Sequence, residues 1–382
     1  MALPAEITAI YQHSGPYATA FLDGSRDHEQ GEHQVQLRWR TLRARLEAAG
    51  ADEATLQAMQ AAVDSDRPVP GRHGHLLVAA GGALLADEII EQPPITEVAD
   101  FGPAPQLLPF LALRGEPVPH VVVVADRNGA NLYANAGHSP IRLTGTTPDS
   151  VAGSAPEPIR KTGRNVWSED HFQHRVENNW TENAADVAQA ARKVAAELGA
   201  RVVLVAGDVR ARALVLHALA ELVPPQVEVT ETTAGGRAEG ASLAAVEDAA
   251  HDAVLRVRWR DRREILARLQ QGVARADFGV TGIEAVLQAL RSGQVETLVI
   301  SDDPSSTERA WIGDDPLQLT RTEQQLTDLG ITEPRQVRLD AALVRAVAAS
   351  GADLLVTPNA HSYLVDGIGA VLRYARNPGT VS

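Results

Sequence analysis

One short run carries most of the chain's chemical potential: Arg160-Lys161-Thr162-Gly163-Arg164-Asn165-Val166-Trp167-Ser168. Arg160, Lys161 and Arg164 stand in a glycine-containing loop with no acid between them, and Arg175 follows a few residues on. Cations so placed bind phosphate, and a neighbouring aromatic can stack on an unpaired base. Recognition of single-stranded or junction RNA is therefore the chemistry expected of Arg160, Lys161, Gly163, Arg164, Asn165, Trp167, His171, Gln173, His174 and Arg175. Trp167 stays open between base stacking and packing. His171, His174 and Glu177 fall roughly on one side of a helix, but they do not form the His-Glu-x-x-His pattern and no further ligand is identifiable. No metal and no cofactor are expected. A P-loop, a dinucleotide fingerprint, a nucleophile elbow and a kinase set are all missing from the sequence, so no residue is expected to be catalytic.

The elements that must position this loop can be read on either side of it. His120-Val121-Val122-Val123-Val124-Ala125-Asp126 is a run of β-branched residues suited to a strand covered on both faces. Arg127-Asn128-Gly129 turns the chain into a second strand over Ala130 to Ala134. Residues 136–167 are rich in Ser, Thr, Gly and Pro, and a loop this long inside a domain is usually functional. Ser168 suits a helix N-cap, with Glu169 and Asp170 favouring the positive end of the dipole, and Gly199 ends the helix. Phe172, Val176 and Trp180 recur every four residues and predict a buried stripe on it. A strand over Arg201 to Ala206, a helix over Arg210 to Leu222 and a strand over Val227 to Val229 follow.

Upstream, residues 1 to about 115 read as a separate α/β unit. It has a strand over Ala18 to Asp23, helices over Glu32 to Ala49 and Ala54 to Ser65, and a hairpin around Gly81-Gly82. Glu116-Pro117-Val118-Pro119 marks a boundary. Downstream, a third unit begins near Leu255. It is expected to hold helices over Leu255 to Gln271, Thr281 to Arg291, Gln318 to Leu329 and Leu339 to Ala349. Strands are expected over Val295 to Ser301, Asp353 to Thr357 and Ala370 to Tyr374, with an irregular polar stretch from Asp302 to Pro316. The fold class is α/β, in three α/β domains: 1–117, 118–254 and 255–382.

Composition narrows the function. With 44% hydrophobic and 22% charged residues the chain is that of a globular protein, and the absence of cysteine excludes disulfides, thiolate zinc sites and cysteine nucleophiles. No apolar run is long enough to span a bilayer. The start, Met-Ala-Leu-Pro-Ala-Glu, has neither a basic nor an apolar leader region, so a cytoplasmic location is expected, with no membrane partner. A net charge of -14 argues against non-specific DNA binding, because counterion release favours a basic protein. Docking on a ribonucleoprotein through local positive charge stays open.

Three landmarks in order resemble the archaeo-eukaryotic class-I release factor and Pelota family, in its bacterial branch. The first is the strand Val121 to Ala125, the long loop, and Trp167-Ser168-Glu169-Asp170-His171-Phe172-Gln173-His174-Arg175. The second is Asp277-Phe278-Gly279-Val280-Thr281-Gly282-Ile283-Glu284-Ala285-Val286, continuing through Ser292-Gly293-Gln294 to Ser301. The third is Val365-Asp366-Gly367-Ile368-Gly369-Ala370-Val371-Leu372-Arg373-Tyr374. The resemblance covers about residues 118 to 382 and implies release-factor-like middle and C-terminal domains.

Members that release peptides carry a Gly-Gly-Gln triplet on the loop of the middle domain. Here Gly163 stands alone before Arg164 and Asn165, and the triplet occurs nowhere in the sequence. The resemblance therefore implies a ribosome-associated factor that approaches the A site and ribosomal RNA without hydrolysing peptidyl-tRNA, as in Balon-like hibernation factors. Rescue of stalled ribosomes, as for Pelota, is also implied; peptide release through the degenerate loop is the enzymatic alternative, and an off-ribosome interaction module is a further one. The C-terminal domain would meet an elongation-factor GTPase. Two arginine-rich helices remain: Arg38, Arg40, Arg43 and Arg45 around Trp39, and Arg256, Arg258, Arg260, Arg262 and Arg263 around Trp259. Solvated faces paired with acids are expected of both, with contact to ribosomal RNA or an inter-domain seam as the alternative.

Overall fold

The computed structural model describes residues 2–26, 31–65, 71–137, 141, 143, 147–152, 169–235, 243–303, 305–358 and 363–375, with the backbone alone over 169–178. The chain divides into two compact units. One is Glu116–Asp261, and the other joins Met1–Gly115 to Arg262–Ser382.

The joined unit begins with α1 (Ala5–Ile10), β1 (Tyr17–Asp23), α2 (Gly31–Ala48), α3 (Glu53–Val63), β2 (Gly74–Ala80), β3 (Ala83–Ile90), β4 (Val98–Gly102) and α4 (Leu108–Arg114). Its strands form an antiparallel sheet in the order β3-β2-β1-β4. Alternation along β1 explains why both its faces are covered. Ala18, Ala20 and Leu22 meet Val35, Trp39, Leu42 and Leu46 of α2, together with Leu56, Met59 and Val63 of α3. Tyr17 and Phe21 turn to the opposite face, where Phe21 meets Phe110 of α4 edge to face at 5.8 Å. α4 is not among the elements expected from the sequence, and Pro109 lies in its first turn. In the first turn of a helix a proline costs little, since its missing N–H has no partner there anyway.

The middle unit contains β5 (His120–Asp126), β6 (Gly129–Asn135), β7 (Asp149–Ala152), α5 (Glu169–Leu198), β8 (Val202–Gly207), α6 (Val209–Leu222) and β9 (Glu228–Glu231). It also holds the first part of α7 (Ala244–Arg275), which crosses from one unit into the other. The sheet order is β7-β6-β5-β8-β9. β5 runs parallel to β8 and β8 parallel to β9, while β6 and β7 are antiparallel additions on the other edge. The valine run of β5 is buried on both faces, as its composition predicts. Val121, Val123 and Ala125 pack on Ala184, Val187, Ala188 and Ala191 of α5 and Val215 and Leu219 of α6. Val122 and Val124 face Val246 and Ala250 of α7.

The remainder of the joined unit carries β10 (Gly279–Thr281), α8 (Ile283–Arg291), β11 (Val295–Ser301), β12 (Arg309–Ile312), β13 (Leu319–Thr320), α9 (Glu323–Asp328), β14 (Arg335–Arg338), α10 (Leu339–Ser350), β15 (Asp353–Thr357) and β16 (Ile368–Leu372). The main sheet is β10-β16-β11-β15, and a small antiparallel sheet is β13-β12-β14. One continuous apolar cluster links α8, α10 and these sheets to α1, α4 and the second face of β1.

Three local expectations need correction. The helix expected over Leu255–Gln271 is the middle of α7, whose earlier turns bury Val246, Ala250 and Ala253 at helical spacing on small side chains. The stretch Asp302–Pro316 is not irregular throughout, because it contains β12. The helix expected over Gln318–Leu329 begins as β13, where Leu319 and Thr320 pair with Ile312 and Trp311. Thr322 then opens α9 in a capping box with Gln325, which sets the true helix start.

Candidate functional site

Residues 153–168, which connect β7 to α5 in sequence, lie outside the described residues. β7 is the edge strand on β6, and its last residue, Ala152, lies opposite Gly129. The pairing is close: a Cβ on Gly129 would stand 2.0 Å from the Val151 carbonyl oxygen, and its φ of 152° also favours glycine. Gly129 thus lets β7 dock where the segment departs, at the carboxyl end of β5. Parallel strands commonly present ligand-contacting groups at that end.

The same end holds a set of polar side chains. Asp126 Oδ1 accepts the Asn128 N–H at 2.8 Å and closes the β5–β6 turn. Asn183 of α5, buried, donates from Nδ2 to the Arg127 carbonyl at 3.0 Å. That bond fixes α5 against the turn, one helical turn beyond Trp180. β8 ends at Gly207, where a Cβ would meet the Ala125 carbonyl oxygen at 2.0 Å. Asp208 caps α6 by accepting the Arg210 and Ala211 N–H groups at 3.0 and 3.1 Å. Arg210, thereby placed in the first turn, lays its guanidinium 5.3 Å from the centroid of the Trp180 ring. Arg212, two residues on, is buried and donates to Glu231 at 2.6 Å and to the Gly207 carbonyl at 3.3 Å. Arg212 is therefore structural. Arg127, Asn128, Arg210 and the half-buried Trp180 form the described rim at this end of the sheet. Such a rim can bind phosphate and stack a planar group. It holds no nucleophile beside a base.

Of the residues expected to bind RNA, Arg160, Lys161, Gly163, Arg164, Asn165 and Trp167 lie outside the described residues. His171, Gln173, His174 and Arg175 fall on the first turns of α5, where the backbone alone is described, as do Phe172, Val176 and Glu177. Among the described residues no group of three or more His, Cys, Asp or Glu side chains could hold a metal ion. Arg127 and Arg210 were not singled out from the sequence. The carboxyl-end rule for parallel strands is the signal that would have found them.

At the opposite end of β5, His120 is buried and its Nδ1 lies 2.8 Å from the Val118 carbonyl, leaving Nε2 without a partner. Burial lowers its pKa below the ordinary 6.5, the hydrogen bond to Val118 opposes that shift, and Arg258 adds to it.

Residues 119–275, which contain this rim and the departing segment, match the model of bacterial archaeo-eukaryotic release factor family 2. Over that range the chain is release-factor-like. Two uncharacterized proteins from different strains of Mycobacterium tuberculosis are each 28% identical to it over 362 residues, which is 94% of this chain and 94% of theirs. Among solved structures, a model of ribosome-bound archaeal Pelota and ABCE1 aligns at 17% identity and a TM-score of 0.40, covering 98% of this chain and 96% of that one. Archaeoglobus fulgidus Pelota aligns at 14% identity and a TM-score of 0.34, covering 98% and 94%. The basic segment lies inside the matched range.

The two arginine-rich helices resolve differently. Around Trp39, Arg38 binds Asp23 at 3.2 Å and Arg43 binds Glu53 at 2.8 Å. Trp39 itself is buried and donates from Nε1 to Gln60 at 2.6 Å. On α7, Arg256 and Arg260 converge on Glu228, and Arg258 donates to the Glu116 carbonyl at 2.6 Å.

Proposed function

We propose that this chain is a ribosome-associated translation factor that occupies the A site as a hibernation factor and leaves peptidyl-tRNA intact. The observation that carries the reading is the release-factor match over residues 119–275, spanning a loop whose sequence has no Gly-Gly-Gln. A water-positioning tip is needed to attack the ester, and Gly163-Arg164-Asn165 does not reproduce one. Arg160, Lys161, Gly163, Arg164, Asn165, Trp167, His171, Gln173, His174 and Arg175 are the proposed ribosomal-RNA contacts, supported by the positive charge and the aromatic residue of this stretch. An elongation-factor GTPase is the partner assigned to the C-terminal part. The site of action is the cytoplasm; among the described residues no helix is long and apolar enough to cross a membrane.

Sedimentation of the protein with ribosomes from stationary-phase cells tests the address, and ribosomes loaded with peptidyl-tRNA test the chemistry. Comigration without ester cleavage is expected. Factor-dependent cleavage would replace hibernation with peptide release, and absence from the ribosome peak would favour an off-ribosome interaction module.

A further inference from the structure

We propose that α7 carries a second RNA-binding surface, centred on Trp259 and flanked by Arg256 and Arg260, that takes single-stranded RNA by stacking one base and holding the phosphates beside it. The observation is an exposed tryptophan in cationic surroundings. Trp259 is 58% exposed, although tryptophan is highly buried on average. Arg256 precedes it by three residues and Arg260 follows it directly, so both lie on the same side of the helix within one turn.

The arginines are held, not idle. Arg256 Nε lies 3.5 Å and Arg260 Nη1 3.2 Å from the two carboxylate oxygens of Glu228, on the edge strand β9. Arg260 Nε also lies 3.7 Å from Asp261, whose carboxylate is gripped by Arg201 at 2.5 and 3.1 Å. Three arginines therefore share two carboxylates, an excess of one positive charge within this network, with Glu264 a turn beyond Arg260. Each guanidinium has five N–H donors, so one carboxylate contact orients the fork and leaves donors for phosphate. Arg256 and Arg260 are about half exposed, and ion pairs in that setting contribute little and yield to a competing anion. Asp252, one turn before Arg256, bounds the patch and limits it to a few nucleotides.

RNA fits better than protein here. A protein interface would place Trp259 within an apolar patch, but three of its four neighbours at helical spacing are arginines (Arg256, Arg262 and Arg263), and the fourth, Leu255, is half-buried. Aromatic platforms beside arginines are the usual means of holding unpaired bases without reading their sequence. The inference rests on the ribosomal reading for the source of the RNA, but its test does not.

A short labelled oligouridylate is titrated into the full chain at low salt. Trp259→Ala should weaken binding by roughly 5- to 100-fold, with an unchanged melting transition. The double variant Arg256→Ala/Arg260→Ala should lower the salt slope by roughly 1.4, as expected for two lost contacts to single-strand phosphates. Glu228→Gln gives the diagnostic sign. Freeing both guanidinium groups should tighten binding by roughly two- to fivefold, whereas a purely structural network predicts no gain. Failure of the native chain to bind oligouridylate, indifference to Trp259→Ala, or unchanged or weaker binding in Glu228→Gln would each overturn the proposal. Loss of a protein partner, with RNA binding intact, in Trp259→Ala would do so as well. Replacing Arg160, Lys161 and Arg164 with Ala should leave oligouridylate binding dependent on Trp259. Failure to sediment with ribosomes, alongside that dependence, would sink the ribosomal reading while leaving this surface in place.

Discussion

Arg-Trp-Arg occurs twice in this chain, at Arg38-Trp39-Arg40 in α2 and at Arg258-Trp259-Arg260 in α7, and the two tryptophans end in opposite surroundings. Trp39 is 1% exposed and Trp259 58%. Phase decides the outcome. In α2 the buried row is Val35, Trp39, Leu42 and Leu46, so the tryptophan occupies a core position and its flanking arginines reach outward past it. In α7 the row is Val246, Ala250, Ala253 and Val257. Trp259 comes two residues after Val257, about 200° around the helix, which turns it away from the sheet. A tripeptide carries no address by itself, and its offset from the apolar row does.

The contrast can be broken most forcefully at Trp39. Trp39→Ala should cost about 3–5 kcal/mol in urea unfolding, whereas Trp259→Ala should stay within about 0.5 kcal/mol. Equal losses would mean that both rings are core. Next comes the polar tip of the buried ring. Gln60→Leu removes the acceptor of Trp39 Nε1–H and should destabilise the chain by about 1–3 kcal/mol, and a neutral result would show that the indole N–H finds another partner. Arg256→Ala/Arg260→Ala should change stability by no more than about 1 kcal/mol, because those pairs are half exposed. A larger loss would make the α7 network a structural clamp.

The gentlest test uses the buried side of α7. The folded-state pKa of His120 lies below its ordinary 6.5, so the unfolded chain binds the proton first as pH falls. Its contribution to stability is complete above 6.5 and declines below that value, toward the folded pKa. Unfolding midpoints measured from about pH 8 to about pH 5 should fall less steeply in His120→Phe than in the native chain. Parallel curves would show that His120 stays neutral in both states or is reached by water.

Legibility follows the same logic of phase and side-chain size. The five-residue run Val121 to Ala125 announces a doubly covered strand, and it is one. The hairpin of β2 and β3 is equally plain from Gly81-Gly82. The first turns of α7 escape notice because alanines bury little area each and give a faint period. β12, β13 and β14 have only two to four residues each, too few to show a period, and β12 pairs with β14 across more than 20 residues, so local pattern does not reveal them. At the candidate site the basic loop is conspicuous by charge. Arg210 over Trp180 is not, since that contact depends on the crossover bringing α6 beside α5.

A density map of the protein bound to ribosomes tests the central claim most directly. The account predicts the middle unit in the A site, with segment 153–168 directed toward ribosomal RNA and any peptidyl-tRNA uncleaved. Binding elsewhere on the ribosome, or no binding at all, would contradict it.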